Sequence, residues 1–165
     1  MKCTLFGSYP DAEDYAQKIV SFAMTEGKFR KIQLNKFTDR EISYYILDED
    51  NCSLKKPEYG GLYSLYLFKD NKPEFCLYVG SSSSNIGYRI YRFVKELLNK
   101  SRDDENHPGA KKARNAGIKI TDDIRVMYFS WEDLPNPPEK CIYDPTRLDE
   151  SVARLLKSKF NKRKS

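Results

Sequence analysis

Tyr63, Tyr78, Arg89, His107 and the late acidic pair Asp149-Glu150 are the residues of this chain whose side-chain chemistry can be put to joint use. The two tyrosines lie in separate aromatic runs, Leu62 to Phe68 and Phe75 to Val79. Along a strand, residues i and i+2 share a face, so a hairpin joining the runs can bring both phenols onto one sheet surface. A free phenol titrates near ~10 and acts as a base only where a cation lowers that value. Arg89 keeps its charge at any working pH, and its planar fork suits two oxygens of an anion. An acid such as Glu150 at the start of a helix can ligate a hard cation or simply complement the helix dipole. Each residue alone has an ordinary reading. The chain holds 12 tyrosines, so any one of them is more often a core aromatic than a reagent. Most arginines are solvated helix residues.

Around these residues the chain divides into strands and helices. Lys69-Asp70-Asn71-Lys72-Pro73 separates the two aromatic runs as a turn, which predicts a β-hairpin. Ser81 to Ser84 form a polar loop. Ile90, Phe93, Val94, Leu97 and Leu98 then mark the apolar stripe of a helix over 87–100. A short basic helix follows around 109–115, closed by Gly117. Ile124 to Trp131 is a third strand, and Pro135, Pro137 and Pro138 mark a loop. Leu148, Val152, Leu155 and Leu156 share one face of a last helix over about 145–160. Upstream, Asp11 can cap a helix over 11–26 that stops at Gly27. Between 28 and 58 periodicity does not decide, and Ile42 to Leu47 fits a strand or a helical turn. Strands that hairpin together and are then covered by helices predict an α+β fold: a small three-stranded antiparallel sheet flanked by helices, with an N-terminal helical extension.

Gly61-Leu62-Tyr63 on the first strand and Tyr78-Val79-Gly80 on the second resemble the two tripeptides that name the GIY-YIG nucleases. Asn85-Ile86-Gly87-Tyr88-Arg89-Ile90 is similar to that family's Asn, aliphatic, two free positions, Arg, aliphatic pattern. His107 with the Ala110 to Gly117 segment looks like its His-led second helix, and Glu150 with Phe160-Asn161 like its metal-binding Glu and late Asn. The resemblance covers residues 61–161. It implies a metal-dependent endonuclease that hydrolyses phosphodiester bonds in DNA, of restriction or phage type, using Mg²⁺ or another divalent cation such as Mn²⁺. Tyr63 would orient or deprotonate the attacking water, Tyr78 would line the same site, and Glu150 would hold the metal. Asp149 is a close rival, because Glu150 stands farther from Leu155-Leu156 than the family's spacing. On this view residues 61–165 form the catalytic domain. Residues 1–60 are an N-terminal extension for DNA recognition or dimerisation. Two departures stand out. The loop from Gly80 to Arg89 is one residue longer than the family's, and Phe93 occupies the position where a His or Tyr relay is usual. Tyr88, Tyr91 or His107 would have to replace that relay, and His107 is favoured as the only histidine.

The bulk composition permits this reading without demanding it. Twenty-nine basic and 24 acidic side chains leave a net charge of +5 in 165 residues, enough for one domain and compatible with a polyanionic partner. Lys111, Lys112 and Arg114 are the candidates for DNA backbone contact, and Asn161 is taken with them as a nucleic-acid-binding residue. Double-stranded DNA is the favoured partner, and paired cuts in a palindrome would call for a homodimer. No run approaches the ~18 apolar residues of a membrane span, and the start lacks a signal-peptide stretch. A cytoplasmic chain with reduced thiols at Cys3, Cys52, Cys76 and Cys141 is therefore expected. A different class of protein competes with the nuclease: a nucleic-acid-binding module that kept the scaffold and lost catalysis, for which Phe93 and the Glu150 spacing speak. A structural or host-interaction protein of α+β fold rests on composition alone.

Overall fold

The computed structural model describes residues 9–38, 40–101, 106–135 and 145–161. Cys3, Cys141, Pro137, Pro138, the acidic run 103–105 and the basic tail from Lys162 lie outside them. Six strands form one antiparallel sheet: β1 (Arg30–Phe37), β2 (Ile42–Leu47), β3 (Ser53–Leu54), β4 (Gly61–Lys69), β5 (Lys72–Ser82) and β6 (Ile124–Ser130), ordered β3-β2-β1-β6-β4-β5. Four α-helices, α1 (Tyr9–Glu26), α2 (Ile86–Leu97), α3 (Pro108–Asn115) and α4 (Pro145–Leu155), and a 3-10 turn at Trp131–Asp133 complete the described elements.

The six-stranded sheet corrects the expected three-stranded one. The anticipated strands are its β6-β4-β5 half, and the N-terminal stretch supplies three more strands, not a helical extension alone. Ile32, Tyr44 and Ile46 bury their side chains on the sheet face that carries Tyr63 and Leu65, which is why this segment joins the sheet. Its signal in the sequence is faint because β1 exposes most of its residues and pairs with β6 through only two positions, Arg30 with Val126 and Lys31 with Arg125.

The sheet separates two apolar clusters. On one face, α2 and α3 pack through Ile86, Ile90, Phe93, Ala110 and Ala113 against Tyr63, Leu65 and Leu77. On the other, Tyr15, Ile19, Leu148 and Val152 of α1 and α4 pack against Leu62, Tyr66, Phe68 and Val79. This arrangement explains a second correction. The last helix ends at Leu155 and not near residue 160, and Lys157 takes a left-handed φ of 53°. Leu148 and Val152 belong to one cluster and Phe160 to the other. No single straight helix can serve both faces, so the chain turns around the edge of β5. There Lys159 N–H and Phe160 N–H donate to Cys76 and Leu77 carbonyls at 3.0 Å each, covering the edge. Among the described residues no helix is long and apolar enough to cross a membrane.

Candidate active site

The β4–β5 hairpin turns at Asp70 and Asn71, both with positive φ, as a two-residue type I′ turn requires. Two register shifts follow along β5, at Glu74 and Leu77, so Gly80 and not Tyr78 ends up opposite Tyr63, with Tyr78 opposite Leu65. Both tyrosines therefore share a face, with ring centroids 6.3 Å apart. Tyr63 lies over Gly80, where any Cβ would overlap the phenol oxygen and Cζ. Gly109 does the same for Tyr78, since a Cβ there would fall 2.6 Å from Tyr78 Cδ1 and 3.1 Å from the Phe160 carbonyl oxygen. These two glycines allow the helix layer and the phenols to approach this closely.

The helices bring the other groups. Asn85 caps α2, its Oδ1 accepting from Tyr88 N–H at 2.9 Å, while Ser82 Oγ accepts from Asn85 N–H at 2.8 Å. This places Arg89 in the first turn of α2 with its side chain on the cleft. His107 caps α3, its Nδ1 accepting from Ala110 N–H at 3.1 Å, and its ring meets Tyr78 edge-on at 4.7 Å. Phe93 is fully buried against both rings, so the relay position holds a packing residue. Across β5, Asp149 and Glu150 of α4 close the cleft, with Ser81 Oγ donating to Asp149 Oδ2 at 2.7 Å. The resulting cleft, about 510 Å³, brings together Tyr63, Tyr78, Arg89, His107, Asp149, Glu150 and Asn161 from five elements and the C-terminal segment.

Two of the anticipated binding residues are engaged elsewhere. Arg114 Nη1 pairs with Glu96 Oε2 at 2.7 Å and also reaches the Glu96 carbonyl, tying α3 to α2. Asn161 Nδ2 donates to the Val79 carbonyl at 2.7 Å and its Oδ1 accepts from Val79 N–H at 2.8 Å, bracing β5 beside Tyr78. Lys111 and Lys112 are exposed on α3. Arg92 escaped the sequence reading. It lies within electrostatic reach of Tyr63, Tyr78 and His107, and its position one helical turn after Arg89 is the signal that could have found it.

Electrostatics sharpen what these groups can do. Burial pushes the Tyr63 phenol well above its ordinary range, with Tyr78 and Asp149 adding to the effect and Arg89 and Arg92 opposing it. Burial and Asp149 push Tyr78 up to about 12, again against the two arginines. Both are therefore hydrogen-bond donors at neutral pH, which supports orientation of water by Tyr63 and argues against its deprotonating water unaided. Burial, with Arg92 nearby, pulls His107 down to about 4. The ring is neutral with Nδ1 already accepting, so its proton sits on Nε2, and it can donate but not act as a base.

No family model, curated protein or solved structure matches this chain.

Among the described residues no group of three or more His, Cys, Asp and Glu side chains is placed to hold a metal ion, so a cation here would rest on the two α4 carboxylates and water. Magnesium takes one or two carboxylates and keeps several waters, and Asp149 and Glu150 offer two carboxylates on one cleft with serine hydroxyls nearby.

The His107 shift has a measurable consequence. The folded state holds this ring neutral down to about pH 4, whereas the unfolded chain protonates it near 6.5. Between those values the unfolded state binds more protons, so stability falls as pH falls, by about 1.4 kcal/mol per pH unit. His107→Asn keeps a capping oxygen and has nothing to titrate there. Denaturant unfolding from pH 7 to pH 4 should show the wild type losing stability more steeply than this variant. Parallel curves would contradict the buried neutral ring.

Proposed function

We propose that this chain is a metal-dependent endonuclease of the GIY-YIG kind, cutting phosphodiester bonds in DNA. The observation that carries the reading is the convergence of Tyr63, Tyr78, Arg89, His107 and the α4 carboxylates on one polar cleft. Tyr63, Tyr78 and His107 pack on one another, but Arg89 and the two carboxylates have no packing reason to join them. Hydrolysis of a phosphodiester needs an oriented water, compensation of the charge growing on phosphorus, and help for the departing oxygen. Arg89 grips the nonbridging oxygens through its fork, with Arg92 behind it adding positive potential. Tyr63 and Tyr78 donate to the water and the phosphate. His107 would donate from Nε2–H to the leaving oxygen. Asp149 and Glu150 would hold the cation, which when bound lowers the pKa of water and offsets phosphate charge. Lys111 and Lys112 supply contacts to the flanking backbone, so binding weakens as salt rises.

A nucleic-acid-binding module without catalysis is the second reading, favoured by the absence of a ready base: both phenols are raised, His107 Nδ1 is occupied and Phe93 fills the relay position. Incubation of supercoiled plasmid with the protein in Mg²⁺ or in EDTA separates the two. Nicked or linear product in Mg²⁺ alone, lost in Tyr63→Phe and Arg89→Ala, is the expected result. A gel shift with no cleavage in any divalent cation selects the binding module.

A further inference from the structure

A second concave surface, about 420 Å³, carries aromatic and basic side chains that the proposed chemistry leaves unused: Lys28, Arg30, Lys55, Tyr59 and Tyr128. Arg30 opens β1, and its guanidinium lies 5.8 Å from the centroid of the Tyr128 ring. Tyr128 stands on β6 opposite Tyr63 on β4, one strand spacing away, about 5 Å. Tyr59 precedes β4 in a loop whose carbonyl accepts from Ile86 N–H at 2.9 Å, yet its side chain remains 44% exposed. The loop is thus anchored while the ring is offered to solvent. Both concave surfaces include residues from the end of the sheet where β4 begins and β5 and β6 end, Ser81 and Ser82 in one and Tyr128 and Phe129 in the other. Trp131 Nε1–H, just after β6, donates to the Ser82 carbonyl at the end of β5 at 3.0 Å.

We propose that this surface binds an unpaired nucleotide flanking the phosphate held in the cleft, with its base stacked on Tyr59 and its phosphate on Arg30. The inference rests on the nuclease reading for the position of the scissile phosphate. Stacking on an exposed tyrosine accepts any base and needs one released from its own stack. Glu26 and Asp133 also line the surface. Three cations against these two acids leave a local excess of one positive charge, which suits one phosphate and not a run of them. The acids are positioned to accept from a base amino group or a sugar hydroxyl.

The test uses DNA duplexes with a short single-stranded gap that carries 5-iododeoxyuridine at successive positions, irradiated with the full chain in EDTA so that no cleavage intervenes. Cross-linked peptides are mapped by mass spectrometry. A cross-link to Tyr59 from one position beside the cut site is expected. In Mg²⁺, Tyr59→Ala should raise KM roughly tenfold, and Tyr59→Phe, which keeps the ring, should recover most of that loss. Cross-links confined to the main cleft and to α3, together with an unchanged KM in Tyr59→Ala, would overturn the proposal while the nuclease reading stands. A wild-type chain that neither cross-links nor cuts overturns both.

Discussion

Asp149→Asn is expected to slow DNA cleavage by about 10³-fold or more while DNA binding is kept or tightened. The family resemblance names Glu150 as the metal ligand, the spacing to Leu155-Leu156 makes Asp149 its rival, and we propose Asp149. Both acids line the cleft, but Asp149 is the one whose charge raises both Tyr63 and Tyr78, and Ser81 holds its carboxylate at 2.7 Å. A carboxylate that positions a cation controls several kcal/mol of transition-state stabilisation, and each 1.36 kcal/mol is about tenfold in rate. Asn keeps the size and the bond from Ser81 but lacks the charge. Removing a negative charge beside the phosphates also relieves repulsion, so affinity is kept or gained. Glu150→Gln, by the same logic, leaves the better-placed ligand intact, with cleavage within about tenfold of wild type. Single-turnover cleavage over a range of Mg²⁺ concentrations and gel shifts in EDTA measure the two effects separately. Exchange of the two phenotypes would return the ligand to Glu150. Normal cutting by both variants would refute cation-dependent chemistry at α4.

The hairpin was legible because its signals are local. Two aromatic, β-prone runs and a polar turn between them all point to one arrangement. The shared face of Tyr63 and Tyr78 survived for a less obvious reason. Counting back from the turn without interruption would set Tyr63 directly opposite Tyr78. Two bulged residues move the register by two, which preserves the face and puts Gly80 beneath the Tyr63 ring. A single bulge would have sent one phenol to the other side. What stayed hidden depends on distant partners. β1 exposes most of its residues, so its alternation is faint until β2 and β6 flank it. The early end of α4 follows from Phe160 and Leu148 belonging to opposite faces, which no helical periodicity reports. Arg114 reads as a surface cation in the sequence, and only the fold sets it against Glu96.

That pairing gives the largest expected effect on stability. Glu96 is buried on α2, its Oε1 accepting from His107 N–H at 3.0 Å and its Oε2 paired with Arg114 at 2.7 Å. One carboxylate thus fixes both ends of α3, the helix that presents His107 and packs Gly109 onto Tyr78. Glu96→Ala strands the Arg114 guanidinium and the His107 amide. Breaking a buried pair in this way costs about 3–5 kcal/mol. Arg114 keeps some access to water, its side chain 24% exposed, so a loss near the lower bound, about 3 kcal/mol, is expected. For a chain of this size that lowers Tm by roughly 6–12 °C. Pairing Glu96→Leu with Arg114→Met removes both charges at once and should regain the part of the loss that comes from the ion pair, while the His107 amide stays without its acceptor. Thermal unfolding of Glu96→Leu, Arg114→Met and the double variant yields the coupling directly. A Tm within about 2 °C of wild type for Glu96→Ala, or strictly additive losses in the double variant, would show that α3 is held by its apolar contacts alone.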